Sequence, residues 1–504
     1  YAINNAIQSK YITEVVVSTD SEEIKIIANQ MGVKCHWRRP ELCGDTVALD
    51  RVVYDTVINE DKKYDFVITM QPTSPTLKVD TLDSAIEYTI KQGLDTLISA
   101  INAPHLSWRE EEGKKVPNYE KRLNRQYLPA NYSETGAFMI SRKSVVTEET
   151  RIGEKIDVYE VSENEAIDVD NFIDLYAVGE ILNQKKVAIY VNGNNLRGTG
   201  HIYRALEIAD EFLTKPDIYY DLNQTDRTLF GKTTHNLIPV NGIFELFEII
   251  KKKQYTIVIN DILSTSLDYM IGLRSVMPAE GKIVNFEDEG EGAEQADLVF
   301  NALYSEQNNE KIFGGEKYYI APKLFMLYNP IELREKVSKV FISFGGADPQ
   351  NYTDRLLEII TSKEKYNKYE FIAIGRAKTN VDALLQYNIY DNIEVLYDVK
   401  NMPDLMRQCD VSMTSRGRTA YELAILGIPA IVLSQNKREE GHGFVCDENG
   451  FMYMGTNPSN HMIESTLDMY LYMPIEDRRN IQEQLLKADL KTGRKRVINM
   501  IQNL

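Results

Sequence analysis

Residues 187–201 read VAIYVNGNNLRGTGH, and this stretch decides the fold of the larger part of the chain. Its first five residues form an apolar run that predicts a buried strand. A glycine-rich turn follows, and then a helix expected over about 202–212. A strand that enters a helix through a glycine-rich turn is a common start of an α/β domain. We therefore predict a domain boundary after residue 184.

Strands and helices alternate on both sides of this boundary. Before it, apolar runs at 14–18, 66–70 and 96–100 predict strands, with helices between them, which favours a mostly parallel sheet. After it, the pattern forms two similar lobes, and the second begins at the run 340–344. The sequence thus predicts an α/β chain of three parts, at residues 1–184, 185–335 and 336–504.

Composition excludes several classes of function. The chain has 504 residues with 75 acidic and 57 basic side chains, so its net charge of −18 argues against nucleic-acid binding. Its four scattered cysteines predict free thiols in a reducing compartment. No apolar run approaches the roughly 20 residues of a membrane span, so we expect no membrane span and a cytoplasmic location. Tyr1 opens a segment that reads as a helix already under way, so we expect that something preceded it.

The first part of the chain carries six short motifs in a fixed order: VVVSTDSEEI at 15–24, RPEL at 39–42 with Asp45, QPTSP at 71–75, RQYLP at 125–129, GAF at 136–138 and IDVD at 167–170. In this order the motifs resemble the acylneuraminate cytidylyltransferases. The resemblance implies a Rossmann-like nucleotidyltransferase domain that couples CTP to a nonulosonic acid, a nine-carbon sugar acid. It also implies Mg²⁺ as cofactor and suggests a homodimer.

The resemblance implies four residues that bind the substrates or order the loops around them. Arg125 matches the arginine that contacts the carboxylate of the sugar acid, and Gln71 matches a position that contacts the sugar. Arg39 and Asp45 match positions on the nucleotide side or in an ordering loop. A surface arginine and a turn-capping glutamine are the structural alternatives for Arg125 and Gln71.

The metal is expected on Asp168 and Asp170. The two side chains are two residues apart in an extended segment, so they point to one face, and Mg²⁺ prefers carboxylate oxygens. A solvated acidic turn is the alternative. The family's first strand and glycine-rich phosphate loop are missing from this sequence, so we expect residues 1–183 alone to be a poor or inactive synthetase.

The rest of the chain resembles a second family. The motif GTGHIYR at 198–204, with weaker blocks up to about residue 450, resembles the UDP-sugar hydrolase of pseudaminic acid synthesis, which has the two-lobed GT-B architecture. By this resemblance His201 is the general base that activates water. Asp261, which follows a strand, matches a second, substrate-binding block. No cofactor is expected for this half.

The resemblance also assigns nucleotide contacts to two kinds of position. Backbone at glycine-rich turns meets phosphate, and side chains early in one helix meet the diphosphate and the ribose. The glycines are Gly198, Gly200, Gly345 and Gly346, and the side chains are Arg418, Thr419 and Glu422. Arg416, in the same loop as Arg418, could also tighten binding of the diphosphate.

These expectations combine into a bifunctional enzyme of nonulosonic acid (sialic-, pseudaminic- or legionaminic-like) biosynthesis, with CTP and the sugar acid bound in one half and a UDP-sugar in the other. Two alternatives stay open. The second half could be a GT-B glycosyltransferase, because one fold hosts both reactions. The first half could be an inactive binding or scaffold module.

Overall fold

The computed structural model describes residues 1–60, 62–194, 198–305, 309–345, 348–375, 381–397, 399 and 401–504. The chain divides into two compact units, Tyr1–Gln184 and Lys185–Leu504. Each unit has hydrophobic cores of its own. No helix in the described part of the chain is long and apolar enough to cross a lipid bilayer.

The first unit is an α/β structure with a four-stranded sheet, a separate parallel strand pair and a hairpin. The sheet has the order β3-β7-β4-β8, the pair is β1-β2 and the hairpin is β5-β6, with the elements α1 (Ala2–Gln8), β1 (Val16–Thr19), α2 (Glu22–Gln30), β2 (Lys34–Trp37), α3 (Leu49–Ile58), β3 (Phe66–Met70), α4 (Val79–Gln92), β4 (Thr96–Asn102), β5 (Trp108–Glu111), β6 (Lys114–Pro117), β7 (Tyr132–Arg142), β8 (Ile156–Glu160) and α5 (Phe172–Leu182). Helix α4 buries Leu82, Ala85 and Ile86 against the sheet and ends at Gly93, whose left-handed backbone closes the helix.

Strand β7 departs from the mostly parallel sheet that the alternation of strands and helices predicts. It runs antiparallel to both of its neighbours, β3 and β4. A parallel return needs a crossover, usually a helix. The described connection between β4 and β7 holds only the β5-β6 hairpin and a 3-10 turn at Arg125–Tyr127, so the chain returns antiparallel.

The second unit contains two fully parallel sheets, one in each of two lobes. The first lobe has the strand order β11-β10-β9-β12-β13-β14-β15 and the elements β9 (Val187–Val191), α6 (Gly200–Ala209), β10 (Asp217–Asp221), β11 (Asn236–Val240), α7 (Ile243–Lys253), β12 (Ile257–Asp261), α8 (Leu267–Val276), β13 (Lys282–Phe286), β14 (Leu298–Asn301), β15 (Ile312–Gly314) and α9 (Lys323–Met326). The strands read as apolar runs because both faces of a parallel sheet are covered.

The second lobe follows the same plan. Its strand order is β18-β17-β16-β19-β20-β21, with the elements β16 (Lys339–Ser343), α10 (Tyr352–Thr361), β17 (Glu370–Ile374), α11 (Val381–Leu385), β18 (Ile393–Leu396), α12 (Met402–Met406), β19 (Val411–Ser415), α13 (Arg418–Leu426), β20 (Ala430–Ser434), β21 (Phe451–Thr456), α14 (Asn460–Leu471), α15 (Ile475–Leu485) and α16 (Gly493–Gln502). Helix α16 returns to the first lobe, where Arg494 donates to the carbonyl of Ala321 and to Glu211. Two such lobes form a GT-B-like architecture, in which ligands bind at the carboxyl ends of the strands.

Candidate active sites

Three residues of the first unit meet where β3 ends beside β7. Gln71 follows β3, and Gly136 lies in β7 with a φ of +69°, a left-handed conformation that favours glycine. A Cβ atom at Gly136 would clash with Oε1 of Gln71 and would lie 3.2 Å from Oδ2 of Asp168. The glycine therefore makes room for an amide and a carboxylate that face each other across the strand.

Backbone and hydroxyl hydrogen bonds hold this arrangement. The amide of Val169 donates to the carbonyl of Thr73 at 2.9 Å, which ties the acidic segment to the turn after β3. Ser74 donates to the carbonyl of Thr135 at 3.2 Å, and Thr135 donates to Ser99 at 2.9 Å. The turn is thus fixed on the sheet by buried polar groups.

Asp168 fits a cation. Its Oδ1 is buried and has no hydrogen-bond partner among the residues that the structure describes, and a buried carboxylate oxygen of this kind needs a compensating positive charge. Asp170 is exposed, and its backbone amide donates to Asp174 at 3.1 Å. Within the described ranges no three His, Cys, Asp or Glu side chains are grouped to hold a metal alone. A metal here would take its other ligands from substrate and water, as Mg²⁺ commonly does.

The other predicted residues of this unit differ in exposure and in their partners. Arg125 and Asp45 are exposed. Arg39 donates to buried Asp55 at 2.5 Å, and His36 approaches the same carboxylate at 2.9 Å. Burial alone would raise the pKa of Asp55, but these two hydrogen bonds outweigh it and hold the pKa below its usual value. This pairing favours the loop-ordering role of Arg39.

The second unit brings His201 and Asp261 together. His201 lies in the first turn of α6, and Asp261 is the last residue of β12, the strand beside β9. The imidazole Nδ1 of His201 contacts Oδ1 of Asp261. Arg204, three residues further along the same helix face, donates to both oxygens of Asp261 at 2.7 Å. Asp261 therefore orients His201, and Arg204 in turn orients Asp261.

The surroundings keep His201 neutral. Burial lowers the pKa of its imidazole, and this outweighs the opposite effect of Asp261, while Arg204 and Arg438 lower the pKa further. A neutral imidazole with Nδ1 on a carboxylate leaves Nε2 able to accept a proton. This arrangement suits a general base at neutral pH.

Arg418 approaches this site from the second lobe. A Cβ atom at Gly200 would lie 3.0 Å from the Cδ of Arg418, so the starts of α6 and α13 are neighbours. The guanidinium lies over the ring of Tyr319 and donates through Nη2 to the carbonyl of Ile320 at 2.9 Å. Its Nη1 is buried and has no hydrogen-bond partner in the described part of the chain. A donor of this kind suits an anionic ligand.

Glu422 lies one turn further along α13 and is half-buried, as is Thr419. Burial raises the pKa of the Glu422 carboxyl to about 7, and Arg418 offsets only part of this shift. A carboxylate can accept hydrogen bonds from two hydroxyls, which suits the predicted ribose contact.

Arg416 has partners within the protein in place of the diphosphate contact that the sequence suggests. Its guanidinium donates to the carbonyls of Val445 and Glu440 and stacks on the ring of Tyr453 at 3.9 Å. These partners hold the buried guanidinium inside the second lobe, so it does not take the predicted place beside a diphosphate.

Gly198 and Gly345 have positive φ angles, and Gly200 begins α6. Gly198 has a φ of +90° and donates to the carbonyl of Asn194 at 2.8 Å. Gly345 has a φ of +77°, and a Cβ atom there would lie 3.4 Å from Oγ of Ser415. Gly346 lies outside the described residues.

Sequence reasoning missed two residues of this site, Glu287 and Arg438. Glu287 accepts from Arg204 at 2.8 Å, and Arg438 of the second lobe donates to the carbonyl of Glu287 at 2.8 Å. Arg438 also contacts the hydroxyl of Tyr304. The only signal for Glu287 is its position directly after a buried strand, because its partner is distant in sequence.

Several known proteins are similar to parts of this chain. Residues 1–196 match the family model described as Cytidylyltransferase. An uncharacterized protein, MJ1062 of Methanocaldococcus jannaschii, is 29% identical over 277 residues, which are 50% of this chain and 56% of that protein. The spore coat polysaccharide biosynthesis protein SpsG of Bacillus subtilis is 24% identical over 264 residues, covering 49% of this chain and 77% of that protein. N-acylneuraminate cytidylyltransferase A of Danio rerio is 30% identical over 182 residues, covering 34% of this chain and 42% of that protein.

The chain thus spans little more than half the length of the first of these relatives. Among solved structures, MurG of Acinetobacter baumannii is similar to 64% of this chain and to all of that chain, at 13% identity and a TM-score of 0.46. The first unit is a cytidylyltransferase-type domain with a Rossmann-like fold. The second unit is GT-B-like, as its two parallel sheets establish.

Proposed function

We propose that the chain combines two sugar-nucleotide enzymes of nonulosonic acid biosynthesis. The first unit transfers CMP from CTP to a nonulosonic acid, and the second hydrolyses a UDP-sugar. The observation that carries the second activity is the His201–Asp261 pair. Arg418 lies beside Gly200, the neighbour of His201, and its Nη1 has no hydrogen-bond partner among the described residues.

In the second unit, Nε2 of His201 takes a proton from a water molecule. The water oxygen forms a bond to the anomeric carbon, and the bond from that carbon to the diphosphate oxygen breaks, so UDP leaves with the bonding electrons. Arg418 and the start of α13 balance the charge of the leaving diphosphate. Glu422 accepts hydrogen bonds from the ribose.

In the first unit, Asp168 and Asp170 would hold Mg²⁺, which would supply positive charge against the CTP phosphates. Gln71 orients the sugar acid beside Asp168. Arg125 pairs with the carboxylate of the sugar acid, and Asp45 lies on the nucleotide side. The orphan oxygen of Asp168 supports the metal role.

UDP release by the full chain tests the second activity, with a UDP-linked 2,4-diacetamido-trideoxyhexose in buffer without acceptor. We expect His201→Gln to lower kcat by about 10²–10⁴-fold, the usual contribution of a general base. His235→Gln is the matched control, because His235 also pairs with a carboxylate, Asp210 at 2.8 Å. UDP release that requires an added sugar acceptor would instead make the second unit a glycosyltransferase.

Pyrophosphate release from CTP and a nonulosonic acid tests the first activity. We expect Asp168→Asn to abolish it and Asp174→Asn, which alters a neighbouring helix cap, to leave most of it. Release that is equal in wild type and Asp168→Asn would exclude the metal role. No release by wild type, even after the missing first strand and phosphate loop are restored at its front, would favour a binding module.

A further inference from the structure

A buried chain of charges lies behind His201 in the second unit. Glu287, Arg204 and Asp261 are 2%, 3% and 0% exposed. Arg204 donates through Nη1 to Glu287 at 2.8 Å and through Nε and Nη2 to Asp261 at 2.7 Å each. The guanidinium is therefore held from both sides, and both oxygens of Asp261 are held by the guanidinium.

A buried cluster of this kind is a costly way to stabilise a fold. Charges removed from water lose solvation, and well-packed apolar side chains of similar volume are often as stabilising. The planar fork of arginine, in contrast, fixes a carboxylate in one orientation. The cluster thus controls where the oxygens of Asp261 point, and Oδ1 points to His201.

The backbone of Glu287 carries strain at the same place. Its φ is +52°, in the left-handed region that a non-glycine residue seldom adopts. Its amide donates to Phe300 at 2.9 Å, and its carbonyl accepts from Arg438 of the second lobe at 2.8 Å. Strained conformations at buried polar residues concentrate at functional sites, where surrounding contacts enforce them.

We infer that Arg204 and Glu287 are positioning residues that hold Asp261 so that His201 keeps its proton on Nδ1 and presents a free Nε2. The inference rests on the proposed role of His201 as base. Glu287 sets the orientation of Arg204, Arg204 sets that of Asp261, and Asp261 selects the tautomer of the imidazole. None of the three needs to touch the substrate.

Glu287→Gln in the full chain tests this inference, because it keeps the shape of the side chain and removes its charge. We expect kcat for UDP release to fall about tenfold, with KM changed less than about threefold, since ground-state binding is untouched. Asp410→Asn is the matched control. Asp410 is a buried carboxylate that accepts from Arg334 at 2.9 Å, and its loss should lower stability without lowering kcat.

The tautomer of His201 is a second readout, which a merely structural role would not change. In protein labelled with ¹⁵N-histidine, with His201→Gln used for assignment, wild type should show protonated Nδ1 and bare Nε2 at pH 7.5. Glu287→Gln should show a mixture of both tautomers. Wild-type kcat and a wild-type tautomer in Glu287→Gln would overturn the inference, even if UDP release occurs. If wild type releases no UDP, the proposed hydrolysis fails, and the NMR result alone still decides whether Glu287 controls the imidazole.

Discussion

The two candidate active sites hold their charges in opposite ways. In the second unit, Arg204 and Asp261 are buried and bound to each other without any ligand, and Asp261 contacts His201, whose side chain is 11% exposed. In the first unit, Arg125 is exposed, and Asp168 has a buried oxygen without a partner among the described residues. The charges around His201 pair with one another within the chain, whereas Asp168 lacks a counter-charge among the described residues.

The difference follows from what each proposed reaction supplies. A base that activates water must be oriented beforehand, because the transition state gains only from groups already in place. A site for CTP, a sugar acid and a metal receives opposite charges with its ligands. The comparison therefore predicts that charge removal destabilises the second unit where the charges are paired, as in the Arg204–Asp261 pair, and does not destabilise the first unit at Asp168.

Asp261→Asn should have the largest effect. It leaves the guanidinium of Arg204 short of one buried counter-charge, so we expect the second unit to lose about 3 kcal/mol of unfolding free energy. Asp168→Asn is its counterpart and should not destabilise the first unit without metal, because it removes a charge whose buried oxygen has no partner among the described residues.

Urea unfolding can separate the two units. Both tryptophans, Trp37 and Trp108, lie in the first unit, so their fluorescence reports it alone, while far-ultraviolet circular dichroism reports both units. The Asp261→Asn curve should shift in circular dichroism and not in fluorescence. Equal losses for the two variants would remove the distinction between the sites.

Much of the second unit's fold is predictable from local sequence. The run 187–191 and its glycine turn predict β9 and α6, because an apolar run and glycines act locally. His201 and Asp261 are each predicted as site residues. Their contact is not, because it depends on β12 lying beside β9, which local patterns do not encode. The substrate-binding role given to Asp261 stays a prediction beside its observed place behind His201.

Two further outcomes depend on tertiary structure. Arg416 and Arg418 are two arginines only two residues apart. Arg416 nevertheless packs on Tyr453, whereas Arg418 lies beside Gly200. Sequence alone cannot separate them, since the partners lie far along the chain. The antiparallel direction of β7 was not predicted for a related reason. The connection from β4 to β7 is long but has no crossover helix.

Glu422→Gln should have an intermediate and opposite effect. The folded pKa of Glu422, about 7, lies above the value of about 4.3 in the unfolded chain, so the folded state binds more protons between these values. The stability that this protonation provides is fully present below about pH 4 and is lost as the pH rises through 7. The variant should therefore match wild type near pH 4 and be more stable by about 1–2 kcal/mol at pH 8.

Urea midpoints at pH 4.5, 6 and 8, followed by circular dichroism, measure this gain. UDP affinity, measured by calorimetry, should fall in the same variant by about tenfold, because the amide cannot replace a carboxylate that accepts two hydroxyls. A gain that does not depend on pH would show that Glu422 is ionised throughout.

Arg39→Gln should have the smallest effect and tests whether charges in the first unit are structural or functional. Arg39 is 57% exposed on its side chain and pairs with Asp55, which keeps His36 as a second partner. Because the guanidinium is largely exposed and His36 stays as a partner of the buried Asp55, the tryptophan-detected midpoint should fall only slightly. Affinity for CTP, measured with Mg²⁺ present, should stay within about twofold of wild type if Arg39 orders its loop.

The control for the lost charge is Arg122→Gln, because Arg122 is another exposed arginine of this unit. A tenfold weaker affinity in Arg39→Gln alone would place Arg39 on the nucleotide and would mean that the first unit, too, holds a ligand-binding charge in place beforehand.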